Sequence, residues 1–383
     1  MNKIKHSKWF QIIFRVILEP LNIILPKKKR IILYSNWGFR DNVKYMYDYL
    51  IENNYNYYYE IVCISDDFMN VDKIQRNNVK FLRAGMNTVI YFLTSKYFIY
   101  CFGGIPIRSS SKQTVVNLWH GMPIKRVGLL ERGIKHRRLN YFDYILSYSP
   151  YFSNILCKSF DVKEKRILIA NAPRNIVLSE TYESEDINKK KIIAWLPTYR
   201  YSSKLDSVNG DAALPFINSE KQLTQLNRLM VKYGAKLFIK LHPLQDKESW
   251  VENQSNIKFI DDHWLARKKT DLYSFLKVTD ALITDYSSVS IDYLLLDRPI
   301  IFAFDDEQKY LRERGLNFGI DEFVSGERAS SQEELFKSLS NVLTGKDDFQ
   351  KLRHQKRNDF YSDISSGSAR ILAKIGIKKD LTE

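Results

Sequence analysis

Between residues 30 and 303 the chain alternates short runs of β-branched and aromatic residues with stretches whose apolar positions recur every three or four places. Such alternation predicts strands joined by helices, hence an α/β fold on parallel sheet. The runs fall at 30–35, 59–65, 79–83, 97–102, 114–119, 144–147 and 166–170. An aperiodic polar stretch at 179–190 follows, and a second series comes at 191–196, 236–241, 257–260, 281–284 and 299–303. Helical spacing marks 41–53, 220–233, 271–279 and 289–296, and the region from Gln332 onward reads as mostly helical. Two domains of similar build are therefore expected, over 30–180 and 181–383, after a segment 1–29 of different character. The Tyr and Asn cluster at 53–59 reads as a loop and strand entry. The polar stretch 201–214 reads as a long loop beside a site or as a plain insertion.

Residues 1–29 are apolar from Trp9 to Leu25, but Arg15, Glu19, Pro20 and Asn22 interrupt the run well short of the roughly 20 apolar residues that a spanning helix needs. No signal peptide is expected either, because charge breaks the apolar core and no small-residue cleavage site follows. Lys8, Gln11, Arg15, Glu19 and Asn22 are spaced 3, 4, 4 and 3 apart, a narrow polar stripe on an otherwise apolar helix. This predicts an amphipathic helix lying in a membrane surface, with the basic run Lys27 to Arg30 adding attraction to anionic lipid. The plain alternative is an amphipathic helix packed on the body of the protein.

The 383 residues carry 59 Lys plus Arg against 44 Asp plus Glu, a net charge of +15 that points to anionic partners. A mean hydropathy of −0.34 excludes a multispanning membrane protein. Nucleic acid is not expected as a partner, because the aromatics form no stacking-platform motif and the basic excess gathers at the amino terminus. Three cysteines, Cys63, Cys101 and Cys157, are odd in number and far apart, which argues against a disulfide framework or a zinc ribbon and fits a reducing cytoplasm.

In open α/β sheets ligands bind beyond the carboxyl ends of the strands, so polar clusters just after strands are where chemistry is sought. Four clusters qualify: Trp119-His120-Gly121-Met122-Pro123-Ile124-Lys125, Leu196-Pro197-Thr198-Tyr199-Arg200, Lys240-Leu241-His242-Pro243 and Thr284-Asp285-Tyr286-Ser287-Ser288. Taken singly each has a plain reading: a His before Gly or Pro as a turn residue, Arg200 as a surface residue, Ser287 and Ser288 as helix caps. Together, two His, an Arg and a helix start after strands suit a phosphate ligand without a Gly-rich loop. Gly103-Gly104 lacks the dinucleotide spacing. His120, His136, His242 and His263 show no metal-ligand spacing, and Asp261-Asp262 reads more readily as a strand-end turn than as a cation site. A histidine near its unperturbed pKa of about 6.5 suits a general base for a hydroxyl nucleophile.

At these clusters the sequence resembles the CDP-glycerol glycerophosphotransferases of teichoic acid synthesis, the TagB and TagF type. The stretches that carry the resemblance are WHGMPIK at 119–125, NAPRN at 171–175, LPTYR at 196–200, KLHP at 240–243, TDYSSVSIDYLLLDRPIIF at 284–302 and DDEQKYLRERGLNFG at 305–319. The resemblance implies a GT-B-like architecture, two Rossmann-like domains facing a cleft with the nucleotide held mainly by the second. It implies transfer of a polyol phosphate from a CDP-activated donor to an undecaprenyl-type lipid-linked saccharide, releasing CMP, by a peripheral enzyme at the cytoplasmic face of the membrane. It makes His120 the base and His242 a second catalytic residue that contacts donor phosphates with Arg200. Thr198, Thr284, Asp285, Ser287 and Ser288 then line the donor side, and Gly121, Lys125, Asn171 and Arg174 belong to the acceptor side or the domain junction. Met122 stands where many members have Thr, and Tyr199 where an aromatic is usual.

On this reading glycerol phosphate from CDP-glycerol is the transferred group, for teichoic acid or a related capsule polymer. The short amino-terminal region resembles primase-type members more than long polymerases. No cofactor is required, and a need for a divalent metal stays open. Two alternatives stay open beside it: a CDP-ribitol-dependent ribitolphosphotransferase, and a GT-B glycosyltransferase using a UDP-sugar. The run Lys125, Arg126, Arg132, Lys135, Arg137 and Arg138 suits a lipid pyrophosphate or a solvated face equally.

Overall fold

The computed structural model describes residues 8–69, 71, 74–134, 139–180, 190–198, 214–241 and 249–379, with side chains from residue 15 onward. They form two compact units, one comprising residues 1–122, 128–176 and 362–383, the other 123–127 and 177–361. The chain therefore crosses between units more often than the single boundary near 180 expected from sequence.

Unit 1 is built on a seven-stranded sheet of β1 (Lys28–Ser35), β2 (Glu60–Ser65), β3 (Val79–Arg83), β4 (Ser95–Phe102), β5 (Thr114–Asn117), β6 (Tyr144–Ser147) and β7 (Ile167–Ile169), in the order 3-2-1-4-5-6-7. Every pairing is parallel. Central strands are apolar almost throughout, as strands covered on both faces must be: Ile31, Ile32 and Leu33, like Ile61 to Ile64, are fully buried. Helix α1 (Lys8–Ile24) precedes the sheet, and α2 (Asn42–Glu52), α3 (Met86–Thr94) and α4 (Pro150–Phe160) connect strands. Helix α2 starts where the Asp41 carboxylate accepts a hydrogen bond from the Asn42 amide at 2.6 Å.

Unit 2 repeats the plan with six parallel strands, β8 (Ile192–Leu196), β9 (Lys236–Ile239), β10 (Ile257–Phe259), β11 (Ala281–Thr284), β12 (Ile300–Ala303) and β13 (Glu327–Ala329). Their spatial order is β10-β9-β8-β11-β12-β13, the same permutation as the first six strands of unit 1. Its core joins Trp195, Leu237 and Ile239 to Leu223, Leu226 and Met230 of α5 (Glu220–Lys232). Ser219 caps α5 by accepting from Gln222 N, and Asp271 caps α7 (Leu272–Lys277) the same way, after α6 (Asp262–Arg267). Later helices are α8 (Val289–Tyr293), α9 (Glu307–Glu313), α10 (Gln332–Thr344) and α11 (Gln350–Phe360); α12 (Gly367–Lys374) belongs to unit 1.

Three expectations change. The strand expected over 114–119 stops at Asn117, because Asn117 Oδ1 accepts from Trp119 N at 2.9 Å and Trp119 turns to φ +53°. The helix expected over 289–296 is α only to Tyr293 and closes as a 3₁₀ turn over Leu294–Leu296. The basic run after α1 is half turned inward. Lys27 Nζ donates to the Asn22 carbonyl and side-chain oxygens at 2.7 Å and to Leu93 O, and buried Arg30 pairs with Glu60 at 2.6 Å.

Candidate active site

In a sheet ordered 3-2-1-4-5-6 the connections leave in opposite directions from the first and fourth strands, and a crevice opens beyond their carboxyl ends. In unit 2 those strands are β8 and β11. They are pinned there by side chains: Thr284 Oγ1 donates to Leu196 O at 2.8 Å, and the buried Asp285 carboxylate receives the Thr198 amide at 2.9 and 3.0 Å. Thr284 is thereby spent on the sheet, and Thr198 and Asp285, both buried, tie the segment after β8 to the end of β11. Lys125 Nζ lies 3.4 Å from Thr198 Oγ1, and both residues belong to unit 2.

The loop after α9 holds Lys125 in place. Asn317 donates its amide to Ile124 O at 2.9 Å and its side-chain nitrogen to both Pro123 O and Lys125 O at 2.7 Å, while Arg126 N reaches Gly315 O at 3.2 Å. Gly315 takes φ +71°, and a Cβ there would meet the Arg126 side chain at 3.0 Å. The sequence flagged this loop only through the stretch 305–319; the role of Asn317 needed the fold.

Beyond β11, Tyr286 is buried, stacks on Tyr310 at 3.7 Å and donates to Asp306 at 3.1 Å. Ser288 occupies the N-cap of α8 in a helical conformation and makes no capping bond; Ser287 Oγ receives only a 3.5 Å contact from Val289 N. The plain capping reading of these two serines therefore fails. Both are half-buried. Arg200 and His242 lie outside the described residues, as do Tyr199 and 135–138 of the basic run.

In unit 1, His120 follows β5. The backbone is left-handed at Trp119 (φ +53°) and strongly positive at Gly121 (φ +130°), a conformation that costs a non-glycine residue about 1–3 kcal/mol and needs outside support. Support comes from Asn42, which donates to Trp119 O at 2.9 Å and Leu118 O at 3.3 Å. The imidazole is exposed and lies against Trp119 (ring centroids 4.1 Å) and Phe102 (4.8 Å). Phe102 ends β4 and stacks in turn on Trp37, which follows β1. An aromatic wall thus runs from His120 to the unit 1 crevice beyond β1 and β4. Gly103 leaves room for Asn36 there, since a Cβ would meet the Asn36 side chain at 2.7 Å.

Arg174 and Asn171 are buried, not lining a crevice. Arg174 Nη1 donates to both Asp41 oxygens, at 2.6 and 2.8 Å, and its amide donates to Asn42 Oδ1 at 3.3 Å, so it stands one residue behind the support of His120. Asn171 Nδ2 donates to Ile364 O at 3.1 Å and fastens the returning segment before α12. Met122 is buried, its Sδ accepting from Tyr148 N at 3.4 Å, a weaker bond than a hydroxyl oxygen would make.

The sequence pattern of one family, described as CDP-Glycerol:Poly(glycerophosphate) glycerophosphotransferase, matches residues 17–375. The chain belongs to this family. One relative, the teichoic acid glycerol-phosphate primase of Bacillus subtilis, is 28% identical over 337 residues, 80% of each chain. The teichoic acid ribitol-phosphate polymerase TarK of Staphylococcus aureus is 27% identical over 356 residues, 86% of this chain and 65% of that one. Among solved structures, the wall teichoic acid polymerase TagF aligns with a TM-score of 0.68 at 22% identity, over 96% of this chain and 92% of that one, a likeness of fold. The clusters of this glycerophosphotransferase-family chain that the sequence singled out are those that follow β5, β8, β9 and β11.

Proposed function

We propose that the protein transfers glycerol phosphate from CDP-glycerol to a lipid-linked saccharide, releasing CMP, in the synthesis of teichoic acid or a related surface polymer. The observation that carries the reading is His120: an exposed imidazole fixed after β5 by a costly backbone and a buried support, in a chain of this family. In the reaction the imidazole takes the proton of the acceptor hydroxyl as its oxygen attacks the β-phosphorus. The bond from that phosphorus to the bridging oxygen breaks, and CMP leaves with the electron pair. Thr198, Asp285, Ser287 and Ser288 form the donor side with Lys125, joined by Arg200 and His242, whose roles rest on the family resemblance. Such transfers depend chiefly on positioning and charge stabilisation. The GT-B-like reading is supported by each unit being, by itself, a parallel sheet in the order that such a half requires. A lipid-linked acceptor places the enzyme at a membrane surface, and among the described residues no helix is long and apolar enough to cross one.

Calorimetric titration with CDP-glycerol, CDP-ribitol, CMP and a UDP-sugar tests the donor. Preference for CDP-glycerol is expected. Preference for CDP-ribitol, the donor class suggested by the ribitol-phosphate relative, would change the polyol, and preference for the UDP-sugar would replace the reading with a glycosyltransferase. His120→Ala is expected to abolish turnover with CMP binding retained; near-normal turnover would reject His120 as the base.

A further inference from the structure

The crevice of unit 1 carries more than a base. At the carboxyl ends of the neighbouring strands β2, β1, β4 and β5 the chain sets Asp66 and Asp67, then Asn36 and Trp37, then Phe102, then Trp119 and His120. Trp37 lies on Phe102 with 5.8 Å between centroids and 16° between planes, and Phe102 lies on the His120 imidazole at 4.8 Å and 25°. Even so, Trp37 stays 46% exposed. A single exposed indole is ordinary, but this one heads a row of stacked rings at the point of the sheet where ligands bind. Its backbone is tied on both sides: Asn36 N donates to Phe102 O at 3.3 Å, and Phe39 N donates to Asp67 O at 2.7 Å. Gly38, at φ +79°, lets the chain bury Phe39 while leaving Trp37 out. The position of a Cβ on Gly38 lies 3.9 Å from Asp67 Oδ2 and 3.8 Å from Arg40 Nε, so a carboxylate and a guanidinium stand beside the indole.

An aromatic platform edged by a few hydrogen-bonding groups suits a sugar ring: the C–H face of a pyranose covers the indole, and its hydroxyls reach Asp67, Arg40 and the exposed Asn36 amide. The local charge runs against that of the chain. Over 36–41, 66–69, 103–107 and 118–122 the charged residues are Arg40, Asp41, Asp66 and Asp67, with no lysine, in a protein of net charge +15. Arg174 takes Asp41, which leaves one arginine against two exposed carboxylates. A phosphate-bearing chain end would meet a negative surplus at this wall, and a neutral ring would not.

We infer that the wall from Trp37 to His120 is a subsite for a neutral pyranose, so that the acceptor presents a sugar hydroxyl to His120 and not the end of a polyol-phosphate chain. The inference rests on the transferase reading and deepens it. Trp37 becomes the residue that sets the class of acceptor, and the reaction becomes addition of a first polyol phosphate to a sugar, not extension of an existing anionic chain.

Saturation-transfer NMR titration of the full chain tests the inference with compounds that share one tail: octyl β-D-glucopyranoside, octyl β-D-galactopyranoside, octyl β-D-glucuronide and octyl phosphoglycerol. At least one neutral pyranoside is expected to bind through its ring protons, at least tenfold more tightly than the glucuronide and the phosphoglycerol. Trp37→Ala should weaken that binding at least tenfold and Trp37→Tyr less, both variants keeping the circular dichroism of the wild type. Pyranoside binding that Trp37→Ala leaves unmoved overturns the platform, and so does the failure of both pyranosides to bind. Phosphoglycerol bound as tightly as the pyranosides overturns the class of acceptor, and equal binding of every compound through the octyl tail overturns the subsite. Titration with CDP-glycerol keeps the two readings apart: donor binding without pyranoside preference sinks only this inference, and pyranoside preference without donor binding sinks only the transferase.

Discussion

The side-chain amide of Asn42 donates to the carbonyl of Trp119 at 2.9 Å, and through that bond the first turn of α2 holds the residue before His120 in a left-handed conformation. Asn42 is a positioning residue. Asn42→Ala leaves buried carbonyls unpaired at a cost of about 1–3 kcal/mol. The expected result is a fall in kcat of tenfold or more, with CMP affinity unchanged and a modest loss of urea stability. A purely structural role would leave kcat of the folded fraction untouched.

Behind Asn42 the Arg174–Asp41 pair is buried on the arginine side, at 1% exposure. Arg174→Met removes one partner of a buried pair, which typically costs about 3–5 kcal/mol. The midpoint of chemical denaturation should drop sharply. Adding Asp41→Asn should restore part of it, because the stranded carboxylate is then neutral.

Asp285 receives the Thr198 amide on both carboxylate oxygens. In Asp285→Ala the loop after β8 loses its anchor on β11, and affinity for CMP is expected to fall at least tenfold, or about 1.4 kcal/mol. Calorimetry reads this directly. Unchanged affinity would move the donor site away from β8 and β11.

Two carboxylates give the fold an acid limit. Burial by itself would raise Glu60, but hydrogen bonds from Lys80 and Arg30 outweigh it and hold the carboxyl below its ordinary 4.5. The Arg353 guanidinium, bonded at 2.5 and 2.8 Å, holds Asp347 below its ordinary 3.8. Folded values below unfolded ones stabilise the protein fully above those ordinary values, and the stabilisation is lost as pH falls through the folded values. The melting temperature should drop below about pH 4.5, and Glu60→Gln with Asp347→Asn should flatten that drop while lowering the value at neutral pH.

Gly367 has no room for a side chain: a Cβ would lie 1.7 Å from Asn171 O. Gly367→Ala should loosen α12 from unit 1, seen as faster amide hydrogen exchange in 362–379 before any change in the core strands.

Periodicity placed nearly every strand, because central strands such as Ile31–Leu33 are buried on both faces and read as unbroken apolar runs. It missed β13, whose three residues Glu327-Arg328-Ala329 lie at the sheet edge and have no β-branched side chain. His120, Thr198 and Asp285 were legible as polar residues after strands. Asn317, Asp41 and the support role of Asn42 were not, since their partners are remote in sequence and only the fold joins them. For α1 the sequence offered an outward apolar face and, as the alternative, packing on the body of the protein. A helical wheel gives the same stripe whichever side meets the protein, and it is the bonds of Asn22 to Arg108 O and Gln113 Oε1 that turn this residue inward.

Unit 1 closes on residues made long after its last strand. Tyr59 Oη donates to Lys378 O across a separation of 319 residues, and α12 packs where Asn171 leaves space only for glycine. On the ribosome, strands β1 to β7 emerge first but wait for this segment, while the whole of β8 to β13 is synthesised in between. The later unit can thus complete its fold before the earlier one. Unit 1 is begun first and completed last, and a stalled nascent chain would expose the docking surface of α12 to chaperones until 362–379 clear the exit tunnel.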